Sequence, residues 1–413
     1  MYEFRFLNYF MNISFEDTAN AFAYKNDKEL KRAQFLFSSM GKEWLVRPGL
    51  WLTPLALKIG LPVKGIIRKT IFKQFVGGQS LQETSAVAEK LGHYDVKVIL
   101  DYGVEGKEGE ENFDHAANEF IKVIQYAATQ PNIPFMSVKI TGFARFELLQ
   151  KIDSASIYEH IIQGKIQEGA LNEEEKREWE RVVARLKDIC SAAAKTNVGV
   201  LIDAEESWIQ DPVDAVTIQM MQQFNKQKAV IYNTAQLYRK DRIQFVKDSS
   251  KYAKENNFIP AMKLVRGAYM EKERKRAEEL KYPSPINENK QATDDEYNAA
   301  LEFCINPENN LYIIVGSHNE YSNLLAVELL EKYGLSHNDP RVYFSQLYGM
   351  SDNITFNLAK AGCLASKYLP FGPIKEVIPY LMRRAQENSS VSGQTGRELL
   401  LIKKEIKRRA AEN

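Results

Sequence analysis

From about residue 90 onward, short and nearly continuous apolar runs alternate with longer stretches of helical periodicity. Eight runs stand out: VKVILDYG (96–103), FMSVKIT (135–141), VGVLIDAE (198–205), AVIYNTAQLY (229–238), IPAMKLV (259–265), LYIIVGSHN (311–319), RVYFSQLYGM (341–350) and LASKYLPFG (364–372). A strand with one wet face alternates polar and apolar residues, whereas a run that is apolar throughout suits a parallel strand covered on both faces. Eight such strands joined by helical crossovers are the count of a closed (βα)8 barrel, so the pattern predicts an α/β fold of that kind.

Helix signals fill the intervals. Asn172 precedes Glu173, Glu174 and Glu175, a favourable helix start, and Thr293 with Glu296 has the spacing of a capping box. Residues 1–90 read as a helical lead-in that closes on FVGGQSLQET, where Gly77 and Gly78 break the chain and Ser80 with Glu83 marks a new helix. The acidic, glycine-bearing segment 104–114 reads as a solvated loop. At the other end, ELLLIKKEIKRRAAEN reads as a basic amphipathic helix, either a cap on the surface or a contact with an anionic membrane. The expected organisation is a helical segment (1–90), a catalytic barrel (91–393) and a terminal helix (394–413).

Composition narrows the function classes. Lys and Arg total 55 against 54 Asp and Glu, so no long-range field favours nucleic acid. Cys190, Cys304 and Cys363 are widely spaced and odd in number, which suits reduced core cysteines rather than zinc or a redox disulfide. The first residues, MYEFRFLNYFMN, lack the marks of a signal or transit peptide, and no apolar run reaches the roughly 18 residues of a membrane span. A cytoplasmic protein with at most peripheral membrane contact is expected.

In a barrel, polar residues at the carboxyl ends of strands converge on one face, where barrel active sites lie. The ends here supply Lys139; Asp203 with Glu205 and Glu206; Gln236; Lys263 with Arg266 and Tyr269; Ser317, His318 and Asn319; Gln346 and Leu347; and Tyr368. Beyond the last strand, PIKEVIPYLMRRAQENSS places Arg383 and Arg384 at the end of an apolar stripe formed by Ile374, Val377, Ile378 and Leu381. Helix neighbours point about 100° apart, so the two guanidiniums can approach one small anion from two sides. Glu387 is spaced to hold either of them, and the alternative is a solvated helix end. No nucleophile elbow, P-loop or G-x-G-x-x-G turn is present, and the five histidines show no metal-ligand spacing.

The segments LIDAEESW, MKLVRGAYMEKER, VGSHNE, FSQLYGM and YLPFGPIKEVIPYLMRRAQENSS, in this order, resemble the proline dehydrogenase family, whose flavin domain is a distorted (βα)8 barrel. The resemblance implies that Arg383, Arg384 and Lys139 bind a proline carboxylate, that Tyr269, Leu347 and Tyr368 pack around the ring, and that Asp203 lies beneath them. It puts Gln236, Lys263, Val265, Gly267, Ser317, His318 and Asn319 against FAD, with Glu387 bracing the arginines. Lys263 stands where the better-known bacterial pattern has arginine facing flavin N5, and eukaryotic-type members are similar in this respect. The stretch 163–180 resembles an insertion relative to compact bacterial forms.

The implied reaction is hydride transfer from C5 of L-proline to flavin N5, giving Δ1-pyrroline-5-carboxylate, with electrons passed on to a membrane quinone. A length of 413 residues leaves no room for a fused aldehyde dehydrogenase, so a separate pyrroline-5-carboxylate dehydrogenase is the expected partner. The implied location is cytoplasmic, peripheral on the inner membrane, or on the matrix side of mitochondria if the source is eukaryotic. Two alternatives stay open. One is a hydroxyproline oxidase of the same family, against which Tyr368 argues because such members resemble this chain with a smaller residue there. The other is a barrel aldolase using Lys139 or Lys263 as a Schiff-base nucleophile.

Overall fold

The computed structural model describes residues 13–41, 64–103, 108–390 and 392–412, except for the side chains of 64, 66, 387–390 and 392–395. Eight strands form a closed parallel barrel in sequence order: β1 (Lys97–Tyr102), β2 (Phe135–Val138), β3 (Gly199–Ile202), β4 (Ile231–Gln236), β5 (Ala261–Val265), β6 (Tyr312–Gly316), β7 (Val342–Leu347) and β8 (Ala365–Phe371). Closure comes from β8 pairing with β1, where Leu100 faces Leu369 on one side and Met136 of β2 on the other. Every residue of β2, β3 and β4 is buried, which explains why these runs do not alternate, and the polar side chains of β4, Asn233, Thr234 and Gln236, are hydrogen-bonded. At the start of β3 the Phe135 ring lies so close to Gly199 that a Cβ there would come within 2.3 Å of it.

The eight runs and their order match the sequence reading, and the differences are local. The run 135–141 is strand only to Val138, because Ile140–Gly142 coils into a 3-10 turn. Lys139 therefore sits at the corner where β2 ends and is delivered to the barrel mouth. Part of the segment expected to be a solvated loop is helix: Glu110–Ala127 begins directly after Gly109, and Phe113 is already buried. Residues 104–107 lie outside the described residues. Thr293 does not cap its helix. That role falls to Asn289, whose side chain accepts from the Ala292 amide, so Lys290–Ile305 starts a turn earlier than expected. Asn172 does form the full capping box with Glu175. Residues 163–180 comprise the turn Glu168–Ala170 and the start of the helix Glu173–Thr196.

A second apolar cluster joins the helices Asp27–Met40 and Ile374–Ser390 to the terminal helix Ser392–Glu412. Leu401 and Ile402 are buried there, and Arg397, Lys404 and Arg409 pair with Glu320, Glu16 and Asp27. The terminal helix thus caps the body of the protein, and these three basic residues serve internal ion pairs. Beneath it, Lys367 of β8 is fully buried and paired at 2.9 Å with Asp352, which also accepts from Tyr24 and Lys25. Among the described residues no helix is long and apolar enough to cross a membrane.

Candidate active site

Four polar side chains meet at the carboxyl ends of β2, β3, β5 and β8. Asp203, just past β3, accepts from Lys139 Nζ at 3.0 Å and from Tyr368 Oη at 2.7 Å, and its second oxygen takes Lys263 Nζ. Tyr368 Oη is also 2.7 Å from Ser137 Oγ, which bonds to Asp101 at 2.9 Å. The positions follow from strand alternation. Ser137 and Lys139 are two residues apart and share the inward face, while the outward-pointing neighbour of Tyr368, Lys367, goes to the buried cluster behind the sheet.

Electrostatics lock the arrangement. Burial would raise the Asp203 carboxyl, but Lys263 and Lys139 hold it well below the usual carboxylate range. Burial would likewise depress the Lys139 ammonium, and the Asp203 charge carries it above an ordinary lysine instead. A Schiff-base nucleophile must be unprotonated. Lys139 is held in its charged form and Lys263 is ion-paired to the same carboxylate, so the geometry opposes the aldolase alternative.

Above this network lies a cavity of about 300 Å³ whose lining includes Lys139, Thr141, Glu205, Glu206, Tyr269 and Arg383. Tyr269 lies at the start of the helix Met270–Leu280, and burial raises its phenol well above the ordinary value. The two arginines part company. Arg383 reaches the cavity, whereas Arg384 is only 8% exposed and has its guanidinium carbon 5.3 Å from the centre of the Tyr380 ring.

His318 lies where β6 gives way to the next helix. Burial, reinforced by the charges of Lys367, Arg384 and Arg266, pushes its imidazole down to about 3, so it is neutral. The Leu347 amide can only donate, and it lies 3.4 Å from His318 Nε2. The ring proton therefore sits on Nδ1, which donates to Ser351 Oγ at 2.8 Å.

Ser317 Oγ accepts from Arg266 at 2.7 Å, and Asn319 caps the helix Glu320–Lys332 through the Ser322 amide. Gln236, at the end of β4, donates to the Glu205 carbonyl at 2.7 Å. The Val265 carbonyl accepts from the Leu237 amide, tying β5 to β4. Gly267 has φ +131° and backs onto the Tyr238 ring, where a Cβ would come within 2.6 Å. Leu347 lies half-buried against the second apolar cluster. The Glu387 side chain lies outside the described residues.

Sequence reasoning left Ser137 and Ser351 out. Ser137 had a signal, since it precedes Lys139 by two in the same strand. Ser351 had none: its part depends on a left-handed backbone (φ +50°) and on Glu398, which comes from the terminal helix to accept the Ser351 amide.

A model of the family described as proline dehydrogenase matches residues 84–397. The chain belongs to the proline dehydrogenase family. It is accordingly an oxidoreductase of that family. Among its relatives is proline dehydrogenase 1, mitochondrial, of Dictyostelium discoideum, 32% identical over 85% of this chain and 67% of that one. Hydroxyproline dehydrogenase of Xenopus laevis is also 32% identical, over 83% of this chain and 78% of its own length. Proline utilization A from Bdellovibrio bacteriovorus, solved after inactivation by N-propargylglycine, shares the fold with a TM-score of 0.68 at 21% identity. That likeness covers 91% of this chain, which spans 38% of the solved one.

Proposed function

We propose that this enzyme oxidises L-proline to Δ1-pyrroline-5-carboxylate, using FAD as the immediate electron acceptor. The observation that carries the reading is the pairing of Lys139 and Arg383 on one cavity directly above the Asp203 network. These two cations, with Arg145 also on the cavity wall, suit a carboxylate, and the ring behind it would meet the side chains of Tyr269, Leu347 and Tyr368.

The residues present fit a flavin dinucleotide. Lys263, Arg266 and Arg384 are cationic donors at the barrel mouth, with Gln236 and His318 beside them, a set complementary to an acceptor-rich ring and an anionic diphosphate. These residues would hold the cofactor, together with the Gly267 backbone, Val265, Ser317 and Asn319, while Glu387 braces the arginines. When bound, the flavin supplies a two-electron acceptor for the hydride leaving C5. The protein's own contribution is orientation. Asp203 fixes the Lys139 ammonium and the Tyr368 hydroxyl at once, so the substrate is gripped at its carboxylate and walled at its ring without further rearrangement.

Reduced cofactor is then reoxidised by a membrane quinone, and the product passes to a separate pyrroline-5-carboxylate dehydrogenase. A location at the surface of the inner membrane, on the matrix side in a mitochondrion, follows from that acceptor.

The Xenopus relative favours a second reading, oxidation of hydroxyproline. Tyr368 weighs against it: with its hydroxyl bound to Asp203 and close to Ser137, the phenol ring cannot withdraw to admit a substrate hydroxyl. The test is steady-state turnover with a soluble quinone and L-proline or hydroxyproline, trapping the cyclic imine. Preference for L-proline supports the reading, and preference for hydroxyproline sinks it. Conversion of Tyr368→Ser should shift the preference toward hydroxyproline.

A further inference from the structure

We propose that Glu205 receives the ring ammonium of the substrate and accepts its proton before hydride leaves, an inference that rests on the proline-oxidising reading above. An amino acid is a zwitterion. Arg383 and Lys139 answer its carboxylate, and the same cavity must supply an anion for its nitrogen. Asp203 is committed to two lysines and a tyrosine, and Glu206 is paired with Lys272. Glu205 is left. It is 6% exposed, and among the described residues its carboxylate makes no ion pair; its donors are the Thr141 hydroxyl, 2.9 and 2.8 Å from its two oxygens, and the Thr141 amide at 3.4 Å.

A hydroxyl has one proton and cannot satisfy both oxygens, so the carboxylate keeps acceptor capacity in the cavity it lines. An ionised carboxyl buried without a counter-ion is costly, and a bound ammonium removes that cost. The charge environment agrees. Burial and the adjacent Glu206 raise the Glu205 carboxyl, Lys139 and Thr141 oppose them, and the balance lies at about 7. Tyr269 and Arg383, from the other walls, line the same cavity, and Glu108 and Arg145 complete its titratable groups. A base poised near neutrality is well matched to accept a proton at working pH. In the step itself one N–H bond breaks and an O–H bond forms on Glu205. The electron pair stays on nitrogen, free to build the C=N bond as hydride passes from C5 to the flavin.

The experiment compares flavin-loaded wild type with Glu205→Gln, which keeps the side-chain volume. Two quantities are read: the second-order rate of anaerobic flavin reduction by L-proline from about pH 6 to about pH 9, and the binding of tetrahydrofuran-2-carboxylate, whose ring oxygen carries no proton. Wild type should show a rise in rate centred near pH 7, because the ionised fraction of Glu205 grows with pH there. Glu205→Gln should lose that rise and run about 100-fold slower at pH 8, while binding the oxygen analogue within about two-fold of wild type. A variant that keeps the rise, or that loses proline and the analogue equally, overturns the proposal. A wild type that proline does not reduce at any pH overturns the functional reading first, so the two failures are distinguishable.

Discussion

Replacing Asp203 by asparagine keeps the shape of the side chain and removes the one charge that two lysines share. The Lys263 side chain is 9% exposed, and without the carboxylate its ammonium is a buried, uncompensated charge. Breaking a buried pair in this way costs about 3–5 kcal/mol. Lys139, at 30% exposure, turns partly to water and adds little. At roughly 2 °C per kcal/mol for a domain of this size, the melting temperature should fall by about 6–10 °C.

The pH dependence gives a sharper check. The folded Asp203 value lies below the unfolded one, near about 3.9, so its contribution is present above that value and disappears as pH falls through the folded value. Lys139 lies above its unfolded value of about 10.4, so its contribution is present below that and disappears as pH rises through the folded value. Thermal unfolding of wild type and Asp203→Asn, followed by circular dichroism, should therefore show a gap that is constant from about pH 5 to about pH 9 and narrows on either side. A gap under about 1 kcal/mol at neutrality, or one that fades between about pH 6 and about pH 8, would refute the picture of a permanently charged hub.

Other substitutions probe single contacts. Arg383→Met should raise the KM for L-proline about 10- to 100-fold with flavin content unchanged, since a charge-assisted bond is worth about 1.5–3 kcal/mol; loss of flavin instead would assign the arginine to the cofactor. Tyr368→Phe removes the hydroxyl 2.7 Å from Asp203 and should lower kcat/KM about ten-fold, whereas an unchanged value would mean that only the ring matters. Gly267→Ala forces a Cβ to within 2.6 Å of the Tyr238 ring at φ +131°, and should destabilise the protein by about 1–3 kcal/mol in urea unfolding; wild-type stability would mean that the loop yields freely.

The barrel was legible because parallel strands covered on both faces leave a trace of apolar runs, such as GVLI in β3, separated by helical stretches. Strand ends then pointed to Lys139, Asp203, Lys263 and Tyr368, which do meet. Less legible was which partner each would choose. Helix geometry allowed Arg383 and Arg384 to converge on one anion, but burial of Arg384 against Tyr380 separates their surroundings, and only tertiary packing decides that. Thr293 failed as a cap because the motif also occurs inside a helix, where Asn289 one turn earlier had already taken the role. The link from Glu398 through Ser351 to His318 spans 80 residues of sequence and a left-handed serine, and no local pattern announces it.

In the function proposed, the cavity above Asp203 binds proline beside a flavin and two electrons leave the substrate. Anaerobic titration of the purified, flavin-loaded protein with L-proline, followed at the oxidised-flavin absorbance, tests it directly. Bleaching upon addition of proline, with about one cyclic imine formed per flavin reduced, is the predicted result. A spectrum that L-proline leaves unchanged, in protein whose flavin is still reduced by dithionite, would contradict it.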